Sequence, residues 1–144
     1  MTDDNAKRLA RHLEFLGYTT NGREADGWWR AEHPRRWNIA FLPTPLGARL
    51  HCSIHVSERG ALHDIAWHRF VSRFNEDAIV ARMSLSEDAA GHELLRVRTL
   101  LPPAYERRLY GALLDAWHSD LEFMQHAPAS QGAERATQQA ETTH

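Results

Sequence analysis

The stretch Arg69-Phe70-Val71-Ser72-Arg73-Phe74-Asn75-Glu76-Asp77, followed by Ile79-Val80-Ala81-Arg82-Met83-Ser84-Leu85, holds the change of period on which the fold turns. Before Asn75 the apolar residues recur at helical spacing: Leu62, Ile65, Ala66, Phe70 and Phe74. After it, Ile79, Ala81, Met83 and Leu85 alternate with Val80, Arg82 and Ser84, the period of a half-buried strand. A helix over residues 61–74 therefore hands over to a strand over residues 79–85, with Asn75 placed as a C-terminal cap. Trp67 and Val71 widen the helix's apolar stripe beyond the need of one sheet face. Twofold dimers being the commonest oligomers, a homodimer is expected with Trp67 and Val71 at or near its interface.

Downstream, Ser86-Glu87-Asp88-Ala89-Ala90-Gly91 reads as a polar hairpin loop and residues 92–101 as the returning strand. Pro102-Pro103 ends the sheet and opens a third helix over residues 103–125, since proline suits a first helical turn. Leu109, Leu113, Ala116, Trp117 and Leu121 are its expected core stripe. From residue 127 to residue 144 the chain is small, polar and aperiodic and is expected to be a disordered tail.

Upstream, Ala6, Leu9, Ala10, Leu13 and Leu16 predict a first helix over residues 3–17, stopped by Gly17. Asn21-Gly22 and Asp26-Gly27 read as turns. Strands follow over residues 27–32, 37–42 and 49–57, with the prolines of Pro43-Thr44-Pro45 expected to stop the second. The order α-β-β-β-α-β-β-α predicts an α+β fold: one mostly antiparallel five-stranded sheet packed with helices, in a single domain over residues 3–126.

This arrangement resembles the fold of YbjN-type bacterial domains and of type III secretion chaperones. The residues that carry the resemblance are Arg73-Phe74-Asn75, Ala81-Arg82-Met83-Ser84-Leu85 and the acidic Glu87-Asp88. Leu16-Gly17-Tyr18 after the first helix and Asp26-Gly27-Trp28 before the first strand agree with it. It spans about residues 5–125. It implies a protein-binding role, chaperone-like or regulatory, and no catalytic residues.

Composition narrows the function classes. The chain has 144 residues, 42% hydrophobic and 25% charged, with a formal net charge of −2. A nucleic-acid binder normally carries a basic surplus, because phosphate contacts dominate its affinity, so no nucleic-acid partner is expected. No run of 18 apolar residues exists to span a membrane. Cys52 is the single cysteine, which rules out an internal disulfide and suits a reducing compartment. The start, Met1-Thr2-Asp3-Asp4-Asn5, lacks an apolar signal core, and a cytoplasmic location is expected.

Ten histidines raise a second reading, a small metal-binding protein or enzyme using surface histidines. The spacings oppose it. His51 and His55 share a strand face but stand roughly 13 Å apart, too far for one ion. His63 and His68 are five apart on a helix and do not share a face, while Asp64 with His68 gives only two ligands. Cys52 falls on the apolar side of its strand, where a thiol is packing. No catalytic residue, metal ligand or cofactor site is predicted, and the chain is expected not to be an enzyme.

Strand parity then yields a binding face. One parity collects Trp29, Ala31, Ile39, Phe41, Leu50, Cys52, Ile54, Met83, Leu95 and Val97. The other collects Trp28, Arg30, His51, His55, Arg82, Arg96 and Arg98. Trp28 and Trp29, being adjacent on a strand, point to opposite faces. The second face can be merely solvated, as one side of an antiparallel sheet often is. Its four arginines and two histidines instead suit a protein segment bearing carboxylates, with Trp28 as an apolar anchor.

Overall fold

The computed structural model describes residues 1–56 and 60–128. Helix α1 (Asp3–Phe15) leads into the meander β1 (Thr19–Arg23), β2 (Trp29–Glu32), β3 (Ile39–Thr44) and β4 (Gly47–His55). After a 3-10 turn (Ala61–His63) come α2 (Ile65–Asp77), β5 (Arg82–Glu87) and β6 (Glu93–Leu101). Helix α3 (Arg107–Leu121) and a closing 3-10 turn (Glu122–His126) complete it. The strands form one antiparallel sheet in the order β1-β2-β3-β4-β6-β5, so β6 is inserted between β4 and β5.

One parity of the sheet makes the core, as expected. Trp29, Phe41, Leu50, Ile54, Met83, Leu95 and Val97 join Leu9 and Leu13 of α1, Trp67, Phe70 and Phe74 of α2, and Tyr110, Leu114 and Trp117 of α3 in one buried cluster. The three helices therefore share one face of the sheet. Trp29 stacks on Phe41 across the β2–β3 pairing, ring centroids 5.5 Å apart.

Six strands replace the expected five. The missed strand, β1, is polar throughout and carries Asn21-Gly22, which reads as a turn in the sequence. Gly22 has φ +76° and sits where the pairing to β2 slips between Thr20 and Arg23, so the glycine makes a bulge rather than a reversal. Strand β3 also runs through Pro43, which was expected to stop it. Its pairing with β2 ends at Phe41, so at Pro43 it has no partner on that side and the missing N–H breaks no ladder there.

Helix α2 starts later and ends later than the sequence suggests. Asp64 is its N-cap, accepting from the Ala66 N–H at 2.9 Å, and residues 61–63 form the preceding 3-10 turn. Asn75 is not the cap. It lies inside the helix and its carboxamide reaches β5, accepting the Met83 N–H at 2.7 Å and donating to the Met83 carbonyl at 2.9 Å. Strand β5 begins at Arg82, not at Ile79, and Ile79 is exposed rather than core. The reason lies in α3. The Asp120 carboxylate, itself buried, accepts the N–H groups of Ile79, Val80 and Ala81 at 2.8, 2.9 and 2.9 Å. Those donors are turned to a side chain and are not available to a strand partner.

Helix α3 begins at Arg107, with Glu106 capping the Arg108 and Leu109 N–H groups. Its core stripe is Tyr110, Leu114, Trp117 and Leu121, so Leu109, expected inside, is exposed. Tyr110 can be buried because its hydroxyl donates to the Pro102 carbonyl. Ala127, assigned to the tail, is 2% exposed and belongs to the domain. The rest of the expected tail, residues 129–144, lies outside the described residues, as do Ser57 and two residues after it.

A polar pin fastens the meander to α3. Buried Tyr18 places its hydroxyl 2.8 Å from His118 Nε2, and Arg36 Nη1 donates to His118 Nδ1 at 2.9 Å. A ring nitrogen that accepts from a guanidinium cannot carry a proton, so the geometry requires neutral His118. Burial, then the Arg36 charge, lowers the His118 pKa from 6.5 to about 4.

Three outcomes follow from these contacts. A Cβ on Gly47, where φ is +139°, would stand 1.9 Å from the Leu101 carbonyl oxygen. Gly47→Ala should therefore cost about 2–4 kcal/mol in urea denaturation, whereas Gly22→Ala, with open space around it, should cost about 1 kcal/mol. Asp120→Ala strands three N–H groups and should cost about 3 kcal/mol. For His118 the folded pKa is depressed. Its contribution is complete above pH 6.5 and is lost as pH falls towards 4. Stability followed by denaturant melts across that window should drop by about 1–2 kcal/mol, and His118→Gln should flatten the drop.

Candidate functional site

The face of the sheet turned away from the helices is built in cross-strand rows. His51 pairs with Ala40 on one side and Arg98 on the other; Arg98 pairs with Arg82, and Ala40 with Arg30. The next row is Ser53, Arg96 and Ser84, and the one after it His55, Leu94 and Ser86. Trp28 lies edge-on to His51, ring centroids 4.8 Å apart. The seven residues read from parity thus do share one face of one sheet.

They do not share one environment. Trp28, Ala40, His51, Ser53 and Leu94 are buried, so the middle of this face is not an open, wet surface. Trp28 is 6% exposed and also lies under Arg49, whose guanidinium carbon is 6.0 Å from the ring centroid. It is therefore not the projecting anchor that was expected. Arg30 is committed to Glu24 at 2.8 Å and Asp26 at 3.3 Å, with 12% of its side chain exposed. Arg96 donates from Nε to Ser86 at 2.8 Å. His55 stacks on His92 at 5.5 Å.

The exposed part is the β5–β6 margin. Arg82 and Arg98 stand directly opposite each other, and both are exposed. Like charges in that relation destabilise a sheet. No carboxylate among the described residues pairs with either; Arg82 donates only to the Ala81 carbonyl, at 2.7 Å. Two neighbours were absent from the expected set. Leu100, 51% exposed, follows Arg98 on this face, and exposed Arg49 is its cross-strand partner. The parity that placed His51 and Arg98 would have placed both.

The remaining chemistry is structural. Among the described residues no three His, Cys, Asp or Glu side chains gather in a way that could hold a metal. Asp64 caps α2 and His68 reaches the Leu62 carbonyl. Cys52 is buried, and loss of solvent pushes its thiol well above the ordinary range, which disfavours the thiolate. Glu93 accepts the N–H groups of Gly60, Ala61 and Leu62, and Asp88 those of Ala90 and His92; these bonds hold both carboxyls below their usual range. Trp67 is fully buried and Val71 packs on the same core. Trp67 is used inside the chain's own core and offers a second copy no surface, whereas Ile65 and Ala66, expected in the same stripe, are exposed.

Among the described residues no helix is long and apolar enough to cross a membrane. No protein-family model matches the chain, and no curated protein matches it. Among solved structures, YbjN from E. coli, which has been proposed to be a transcription regulator, is similar to it. The TM-score is 0.61 at 12% sequence identity, covering 92% of this chain and 93% of that chain. This likeness over nearly the whole chain establishes a YbjN-type α+β fold.

Proposed function

We propose that the chain is a non-catalytic, cytoplasmic binding module, regulatory or chaperone-like, that receives an acidic segment of a protein partner on the β5–β6 margin. The observation that carries this is the exposed, directly opposed pair Arg82 and Arg98. Two guanidinium groups side by side repel each other, and a carboxylate between them removes that repulsion while accepting bidentate hydrogen bonds from either. Leu100, exposed two residues along, takes the role of apolar anchor in place of Trp28. Arg49 adds a third positive charge beside it. The regulatory side of the reading draws support from the YbjN fold, since that protein is itself proposed to be a regulator.

The test compares the wild-type chain with Arg82→Ser/Arg98→Ser and with Leu100→Ser, each used to recover the partner from native extract. The substitutions lie on an exposed margin and should leave the melting transition nearly unchanged. The double variant should bind at least tenfold more weakly, and wild-type binding should fall steeply with salt. Equal binding by wild type and double variant would sink the proposal.

A further inference from the structure

The helical side of the molecule carries a second basic surface, independent of the sheet margin. Arg8, Arg11, His12 and Phe15 stand at helical spacing on α1, beside the stripe that enters the core. Across from them, α3 presents Arg107, Arg108, Gly111, Ala112 and Asp115, again one helical face. Between the two helices lies a groove of about 770 Å³ lined by these residues. Its floor is low because Gly111 and Ala112 are small. Its inner wall is fixed by His12, whose Nδ1 lies 2.7 Å from the Tyr105 hydroxyl.

Three features mark this groove as more than a gap. Phe15 is 79% exposed, the most exposed large apolar residue described. Arg11, Arg107 and Arg108 have no carboxylate partner among the described residues; only Arg8 is paired, with Asp4 at 3.5 Å. Arg107 and Arg108 also occupy the first turn of α3, where a positive charge opposes the helix dipole. The exposed ring and the two positive charges at the helix's positive end are local costs, and such costs concentrate at binding surfaces.

We infer that this groove docks a short acidic segment of another protein, with one apolar side chain against Phe15 and carboxylates on Arg11, Arg107 and Arg108. Charge complementarity selects the occupant. With Arg8 held by Asp4, three further arginines line the groove beside the single lining carboxylate Asp115, on a chain whose formal net charge is −2. A nucleic-acid strand running beyond the groove would meet Asp3 and Asp4 at the start of α1. A peptide with a few carboxylates matches a positive patch of this size without that penalty.

The probe is a fluorescein-labelled eight-residue peptide with four glutamates flanking a leucine, followed by anisotropy. The protein carries Arg82→Ser/Arg98→Ser, so that the sheet margin is disabled and failure here is distinct from failure there. Binding should survive in that background. Arg107→Glu/Arg108→Glu should weaken it more than tenfold while leaving the melting temperature unchanged or higher, because acidic residues suit a first helical turn. Phe15→Ala removes an exposed ring and should weaken binding about fivefold with no loss of stability. A third variant, Gly111→Leu, fills the floor and should also block the peptide; a Cβ there meets His12 only at 3.9 Å, an ordinary contact. The inference is overturned if the peptide does not bind in this background, or if the Arg107/Arg108 and Phe15 variants bind as their parent does. It is also overturned if an eight-nucleotide single strand binds more tightly than the peptide. Light scattering that shows a dimer lost with Phe15→Ala would replace the acidic segment by a second copy.

Discussion

A single buried carboxylate sets the relation between the sheet and the last helix. Asp120 gathers three successive N–H groups from the connection between α2 and β5. A charged acceptor withdrawn from water must be saturated with donors, or it costs several kcal/mol. Here the donors are backbone, so side chain and chain path fix each other. The arrangement ends the connection at Ala81, starts β5 at Arg82, and holds α3 over the sheet. Where Arg82 meets Arg98 follows from where Asp120 sits.

The sequence made the core legible and left the polar devices obscure, for a physical reason. Burial of apolar side chains imposes a period, and the period survives in the order of residues. Hence Leu50, Cys52, Ile54, Leu95 and Val97 were assigned to the helix-covered face directly. Asp120, Asn75 and Glu93 act across 41, 8 and 33 residues respectively, through hydrogen bonds that leave no local pattern. Strand β1 leaves no apolar period either, because an edge strand made of Thr, Asn, Gly and Arg is held by its backbone pairing and by polar contacts of Thr20 with Glu14 and Arg23 with Asp3. Leu109, read as an inner position of α3, is exposed while Tyr110 is buried, and the hydroxyl's partner, the Pro102 carbonyl, is invisible from sequence.

The candidate site divides along the same line. Parity brought Trp28, Arg30, His51, His55, Arg82, Arg96 and Arg98 to one face; the registers place the last six there, and the Trp28 ring joins them by its contact with His51. Parity carries no information about which of them are spent on neighbours. Arg30 closes on Glu24 and Asp26, Trp28 packs on His51, and only the β5–β6 margin keeps exposed arginines facing each other. The groove between α1 and α3 was not foreseen, although Arg8, Arg11 and Phe15 sit at an interpretable spacing. The basic stripe on α1 has no meaning until α3 is packed against it, and that packing is not written in the local pattern.

The Asn75 carboxamide has a consequence for how this molecule behaves among its neighbours. Strand β5 ends the sheet on one side, and its unpaired backbone groups are a template for another chain. By accepting from the Met83 N–H and donating to the Met83 carbonyl, Asn75 imitates one residue of a further strand and occupies the start of that edge. At the opposite edge the slip at Gly22 in β1 spoils the register that an incoming strand would need. With both borders blunted, the sheet is poorly suited to grow by strand addition, into fibrils or onto a ligand. Recognition is left to side chains, which can be selective for charge and shape where a backbone edge cannot.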